Sequence, residues 1–294
     1  MAGASLLYFK SEAEAALKLA KLADLDPCLI ERHDFPDGEF KLKLPSALSH
    51  KAVLFHTLDH PNEKLIELLL AAKTARQLGV QHLTLVVPYL AYMRQDIAFV
   101  PGEVVSQRII GDLLASLFEA VITVDPHLHR VASLEQAIPV KNAINISAAP
   151  MLGALAVEKR AHPFLIGPDE ESSQWVAQAA AAHQLDYAVA TKTRLGDRSV
   201  EIHLPAMDVK GRAVILLDDI ASSGHTLARA AELLLAAGAK TVDVAVTHAL
   251  FDSQAEDLIK RAGVSQVWTT DCIAHPSNAV SVLPAITQAL SGLV

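Results

Sequence analysis

Residues 214–226 read VILLDDIASSGHT. Four aliphatic residues in a row, Val214, Ile215, Leu216 and Leu217, fit a strand buried on both faces, because a strand with one wet face alternates apolar and polar positions. The stretch that follows, TLARAAELLLAAG (226–238), carries helical spacing and stops at a glycine. Asp218, Asp219 and the SSGHT turn therefore fall where a strand hands over to a helix. Ligands of open α/β sheets collect at that edge, since the first helical N–H groups lack intrahelical acceptors and the helix dipole favours an anion. Phosphate suits the turn: Ser222, Ser223, His225 and Thr226 add polar side chains, and Gly224 admits backbone conformations that other residues avoid. Two adjacent carboxylates repel an oxyanion, so Asp218 and Asp219 are expected to serve sugar hydroxyls or a magnesium ion. A sugar phosphate satisfies both demands.

The rest of the chain bounds this reading. A length of 294 residues fits about two domains of ordinary size. With 51% hydrophobic and 20% charged residues, the composition is that of a globular chain. Apolar runs stay short of the roughly 18 residues that span a bilayer, so no membrane is expected. The N-terminal stretch has no basic leader, and its apolar run breaks at Lys10, unlike a secretory signal; a cytoplasmic location is the expectation. A net charge of −8 argues against nucleic acid, for which a basic stripe is needed. Cys28 and Cys272 stand far apart in apolar surroundings and read as buried small hydrophobes. Neither G-x-x-x-x-G-K-[ST] nor G-x-G-x-x-G occurs, which removes the P-loop and Rossmann readings.

Strand and helix signals alternate throughout. The first half predicts strands 5–9, 28–34, 52–58, 82–88 and 120–125, with helices 12–23 (behind a Ser11/Glu14 capping box), 62–78 and 103–117. The second half predicts strands 163–167, 187–192, 199–204, 213–218, 241–247 and 266–270, with helices 149–159, 172–183, 225–237, 253–262 and 284–291. Both halves are α/β with mainly parallel sheets, and we expect domains at 1–146 and 147–294.

The 214–226 stretch resembles the phosphoribosyl pyrophosphate loop shared by type I phosphoribosyltransferases and ribose-phosphate diphosphokinases. Three further stretches in the same order resemble the diphosphokinases: FPDGE (35–39), PYLAYMRQD (88–96) and TVDPHLH (123–129). The resemblance implies two phosphoribosyltransferase-like domains and transfer of a diphosphoryl group from magnesium ATP to the anomeric hydroxyl of ribose 5-phosphate, releasing AMP. It assigns Lys192 and Arg194 to the transferring phosphates. Phe35, Asp37 and Glu39 go to a neighbouring subunit's adenine, so a homo-oligomer is implied. Arg94, Gln95 and Asp96 complete the ATP pocket, and His127 and Asp169 contact the Mg2+. Asp218, Asp219, Ser222, Ser223, Gly224, His225 and Thr226 hold ribose 5-phosphate.

The chain departs from that pattern at three places. Ile97 and Ala98 stand where the family carries basic residues, DEESS (169–173) replaces a glycine pair, and His225 replaces a glycine. Two alternatives remain open at the level of sequence: a phosphoribosyltransferase, which leaves FPDGE and RQD without a role, and a catalytically silent, nucleotide-binding homologue that regulates a synthetase.

Overall fold

The structure, a computed structural model, describes residues 3–194 and 200–294, with backbone alone for 193, 194, 200 and 201. Residue 199, the first of the predicted 199–204 strand, lies outside the described residues. The chain divides into two units, Met1–Ile146 with Val282–Val294, and Ser147–Ser281.

The first unit comprises β1 (Ser5–Phe9), α1 (Ala13–Ala23), β2 (Asp26–Asp34), β3 (Phe40–Lys43), β4 (Lys51–Phe55), α2 (Pro61–Gln77), β5 (His82–Val87), α3 (Ser106–Leu117), β6 (Ala120–Val124), α4 (Leu134–Ala137) and β7 (Asn142–Ile146). Its described strands form one sheet in the order β3-β2-β1-β4-β5-β6-β7, parallel except for the antiparallel β2–β3 hairpin. Every residue of β1 and β6 is buried, as expected where helices cover both faces.

The second unit comprises α5 (Ala149–Lys159), β8 (Phe164–Gly167), α6 (Ser173–His183), β9 (Tyr187–Val189), β10 (Thr191–Arg194), β11 (Val200–His203), β12 (Ala213–Ala221), α7 (His225–Ala236), β13 (Thr241–Ala249), α8 (Ser253–Arg261), β14 (Val264–Thr270) and β15 (Asn278–Val280). A parallel sheet runs β15-β14-β13-β12-β8-β9, and β10 and β11 pair as a separate antiparallel ribbon. The four aliphatics of β12 explain its central place. Val214 and Leu216 join a core cluster with Leu227, Ala231 and Ile259 of α7 and α8. Ile215 and Leu217 point the other way, into Leu152, Trp175 and Val176 of α5 and α6. All four are 0% exposed, so polarity on either face would bury an unpaired group.

Several expectations shift. The Ser11/Glu14 capping box is absent: α1 begins at Ala13 with no side-chain cap, and Glu14 pairs with Lys18 at 2.7 Å. The predicted strand 187–192 is two strands, β9 and β10. The predicted strand 213–218 runs on to Ala221, so Asp219 joins Asp218 inside β12 rather than lying beyond it. β3, α4, β7 and β15 were not expected. A final helix, α9 (Leu283–Leu290), follows the second unit in sequence but belongs to the first, where it packs on α1 and β7.

Candidate active site

In the second unit, polar residues gather at the carboxyl ends of β8 and β12, which are hydrogen-bonded neighbours. Asp218 and Asp219 alternate in direction along β12, and the Asp219 N–H donates to Asp218 Oδ1 at 3.0 Å. Asp219 and Asp169 are buried. Asp218 keeps some surface but is closely surrounded by protein. That surrounding, then the charges of Asp219 and Asp169, push its pKa well above the usual carboxylate value. Asp169 follows β8, and its carbonyl accepts from Ser172 Oγ at 2.5 Å. Lys192 reaches across from β10: its Nζ lies 3.4 Å from Asp169 Oδ2 and 3.4 Å from Thr226 Oγ1. One ammonium thus joins the acidic cluster to the head of α7.

The turn before α7 has the shape an anion needs. Gly224, with φ of 74°, is the residue preceding the helix, and no side chain caps it. A Cβ there would meet Ala255 O at 3.1 Å and Ile259 Cγ1 at 3.1 Å, so α8 presses on the turn from beneath. Ser222, Ser223 and His225 are exposed and line an open cavity of about 410 Å³ with Asp252 and Gln254. Asp252 is occupied in capping α8, accepting from the N–H groups of Gln254 and Ala255 at 3.0 Å each.

The first unit carries the remaining candidates. The FPDGE turn joins β2 to β3: Phe35 N–H donates to Glu39 O at 2.7 Å, and Glu39 N–H to Asp37 Oδ1 at 3.1 Å. Phe35, Asp37 and Glu39 are all exposed. Beneath the hairpin lies a buried charged network. His56 Nδ1 pairs with Glu12 Oε2 at 2.7 Å and Nε2 with Glu67 Oε2 at 2.8 Å. Glu67 also accepts from Arg32 of β2 at 2.6 Å, and Glu12 from the Thr57 N–H at 2.7 Å. Burial alone would lower the His56 pKa, but the two carboxylates override it and raise the value. With a carboxylate at each ring nitrogen, both nitrogens must donate, which only the imidazolium does.

The Arg94-Gln95-Asp96 turn is clamped by α3. Gln107 N–H donates to Gln95 O at 3.2 Å, and Gln107 Nε2 to Met93 O at 3.2 Å. Arg94 is exposed; buried Asp96 accepts from Arg130 Nη1 at 2.6 Å. His127 meets His129 edge to face, their Nε2 atoms paired. Of Arg194, at the end of β10, only the backbone is described.

His129, Arg130, Gln107 and the Glu12–His56–Glu67 group escaped the sequence reading. For His129 a signal was present, since the alternate residues of HLH share one side of an extended segment. The buried network has no such signal, because its members stand far apart in the chain.

A family model described as the N-terminal domain of ribose phosphate pyrophosphokinase matches residues 4–117, and a phosphoribosyl transferase domain model matches 148–279. The ribose-phosphate pyrophosphokinase of Methanopyrus kandleri is 35% identical over 280 residues, 94% of either chain. The chain belongs to the ribose-phosphate pyrophosphokinase family. The Thermococcus kodakarensis pyrophosphokinase is 34% identical over 259 residues, 88% of this chain and 91% of that one. A crystal structure of phosphoribosylpyrophosphate synthetase from Mycobacterium smegmatis superposes with a TM-score of 0.83 at 24% identity, covering 97% of each chain. That likeness fixes the fold as the pyrophosphokinase one, with two phosphoribosyltransferase-like α/β units. Among the described residues no helix is long and apolar enough to cross a membrane.

Proposed function

We propose that this chain catalyses transfer of the diphosphoryl group of ATP to the anomeric hydroxyl of ribose 5-phosphate, giving phosphoribosyl pyrophosphate and AMP. The observation that carries the reading, beside family membership, is Lys192 spanning Asp169 and Thr226 at the mouth of the SSGHT turn. The anomeric oxygen forms a bond to the β-phosphorus of ATP as the bond from that phosphorus to the α–β bridging oxygen breaks. The electron pair leaves with AMP, and the hydroxyl proton passes to solvent.

The chain's groups divide this work. The free N–H groups at the head of α7, with Ser222, Ser223, His225 and Thr226 around Gly224, bind the 5-phosphate. Asp218 and Asp219 accept from ribose hydroxyls. Lys192 meets the negative charge that builds on the transferring phosphates, and the family resemblance assigns Arg194 to the same charge; such a group's removal costs on the order of a hundred to a thousandfold in rate. Arg94, Gln95 and Asp96 hold ATP, and Phe35, Asp37 and Glu39 reach the adenine of a second copy in a homo-oligomer. The cytoplasm is the proposed location.

Magnesium fits this set. Asp218, Asp219 and Asp169 crowd negative charge that raises the Asp218 pKa, and oxygen donors of this kind suit a hard cation that keeps several waters. Asp169 would hold it on the second unit. When bound, the ion supplies charge neutralisation on the phosphate oxygens.

The test is phosphorus NMR of the protein with magnesium, ATP and ribose 5-phosphate. AMP and a sugar diphosphate should appear together, and Lys192→Ala should lower kcat about a hundredfold or more with a smaller change in KM. Absence of AMP across a panel of pentose phosphates refutes the proposal and favours the silent homologue.

A further inference from the structure

The segment after the Arg94-Gln95-Asp96 turn, IAFVPGEV (97–104), contains no cation, and its one charged residue, Glu103, is acidic. Glu103 folds the segment back on itself: its Oε2 accepts from the N–H groups of Phe99 at 2.6 Å and Val100 at 3.2 Å. This fixes Phe99, which is 65% exposed. A second segment approaches it. Arg130, at the end of the TVDPHLHR stretch, holds its guanidinium carbon 5.6 Å from the centre of the Phe99 ring while Nη1 donates to Asp96 Oδ1 at 2.6 Å.

The two partners differ in burial. The Asp96 side chain is 3% exposed and that of Arg130 is 51% exposed. Asp96 is thus a buried carboxylate whose described cationic partner stands at the surface, and a carboxylate without such a partner repels an incoming polyanion. Arg130 has five N–H donors, and among the described residues only Nη1 is engaged. Its remaining edge, Nε and Nη2, presents donors in the fork geometry that matches phosphate oxygens. Arg94, two residues before Asp96, is the second exposed guanidinium of the same turn. A planar cation tethered at one corner and stacked on a ring has lost much of its side-chain freedom before any ligand arrives, so binding costs less entropy.

We propose that Arg130, held between Asp96 and Phe99, is a phosphate-binding residue of the nucleotide site and supplies there the positive charge that residues 97–104 lack. The inference rests on the nucleotide role of Arg94, Gln95 and Asp96.

The experiment is the Kd for magnesium ATP by isothermal titration calorimetry on the full chain, for wild type, Arg94→Ala, Arg130→Gln, Asp96→Asn and Asp96→Asn/Arg130→Gln, with Tm recorded for each. Arg130→Gln should weaken ATP about tenfold to a hundredfold, the range for a lost charge-assisted contact, with Tm and the Kd for ribose 5-phosphate held. The same substitution in the Asp96→Asn background should weaken ATP again by a similar factor. No change on Arg130→Gln, or a loss that vanishes once Asp96 is Asn, overturns the proposal, the second result showing that Arg130 only neutralises the carboxylate. If Arg94→Ala weakens ATP and Arg130→Gln does not, the nucleotide site stands and the Arg130 assignment falls. If neither substitution moves the Kd, or wild type takes no ATP, both fall together.

Discussion

Replacing His56 by Gln tests the buried network beneath the FPDGE hairpin. Glutamine offers one amide donor end, so it bonds one of Glu12 and Glu67 and turns its carbonyl oxygen toward the other. Removing one partner from a buried ion pair costs about 3–5 kcal/mol. The lower end applies here, because Glu12 keeps the Thr57 N–H and Lys64 at 3.7 Å, and Glu67 keeps Arg32. About 3 kcal/mol lowers Tm by roughly 6–12 °C in a domain of 150–250 residues. The pH dependence carries the sharper test. His56 faces Glu12 beside α1, Glu67 on α2 and the Phe9 ring on β1, with Arg32 and Lys64 one contact further out and Glu63 and Asp59 beyond those two. Its folded pKa is raised above the ordinary 6.5, so its stabilisation is complete below about 6.5 and lost as pH rises through the folded value. The Glu67 pKa is lowered from 4.5: burial pushes it up, and the His56 and Arg32 contacts outweigh that. Its contribution is present above about 4.5 and lost as pH falls through the lower folded value. The gap in Tm between wild type and variant should therefore be widest from about pH 4.5 to 6.5 and narrow on the alkaline side. A gap that stays constant from pH 5.5 to 10, or widens, refutes a charged His56.

Gly224→Ala places a methyl group against Ala255 O and Ile259 in a left-handed backbone conformation, costing about 1–3 kcal/mol; KM for ribose 5-phosphate should rise roughly tenfold, and an unchanged KM contradicts the turn's assignment. Magnesium binding should lower the raised Asp218 pKa, because the metal selects the carboxylate, and so release protons over the pH range in which that group is protonated. Calorimetry in buffers of different ionisation enthalpy reads that release, which should disappear in Asp218→Asn; identical heats in all buffers exclude the metal from this cluster.

The strands that declared themselves in the sequence are those enclosed on both sides. Val214–Leu217 could be read because each face of β12 meets a helix layer, leaving no polar position to confuse the run. β3 and β7 were missed for the opposite reason: FKLK alternates over only four residues, and NAINI mixes polar with apolar at partly exposed positions. The capping box failed because Ser11 falls in a short 3-10 turn, while the Glu12 carboxylate is drawn inward by His56. At the site, local spacing placed Asp218 through Thr226 on one turn. The meeting of Lys192 with Asp169 and Thr226 joins residues 23 and 34 positions apart, and no local spacing marks it. Arg130 directly follows the TVDPHLH motif, but its partner is 34 residues away and nothing local marks the pair.

The position of α9 makes the first unit discontinuous in the chain. Val282, Leu283, Ile286 and Leu290 are buried, yet they emerge from the ribosome only after all of Ser147–Ser281. A fragment cut at residue 146 would leave the facing surface of α1 without its cover, whereas Ser147–Ser281 is a single uninterrupted piece. In synthesis the second unit can thus close first, and the unit begun earliest is finished last.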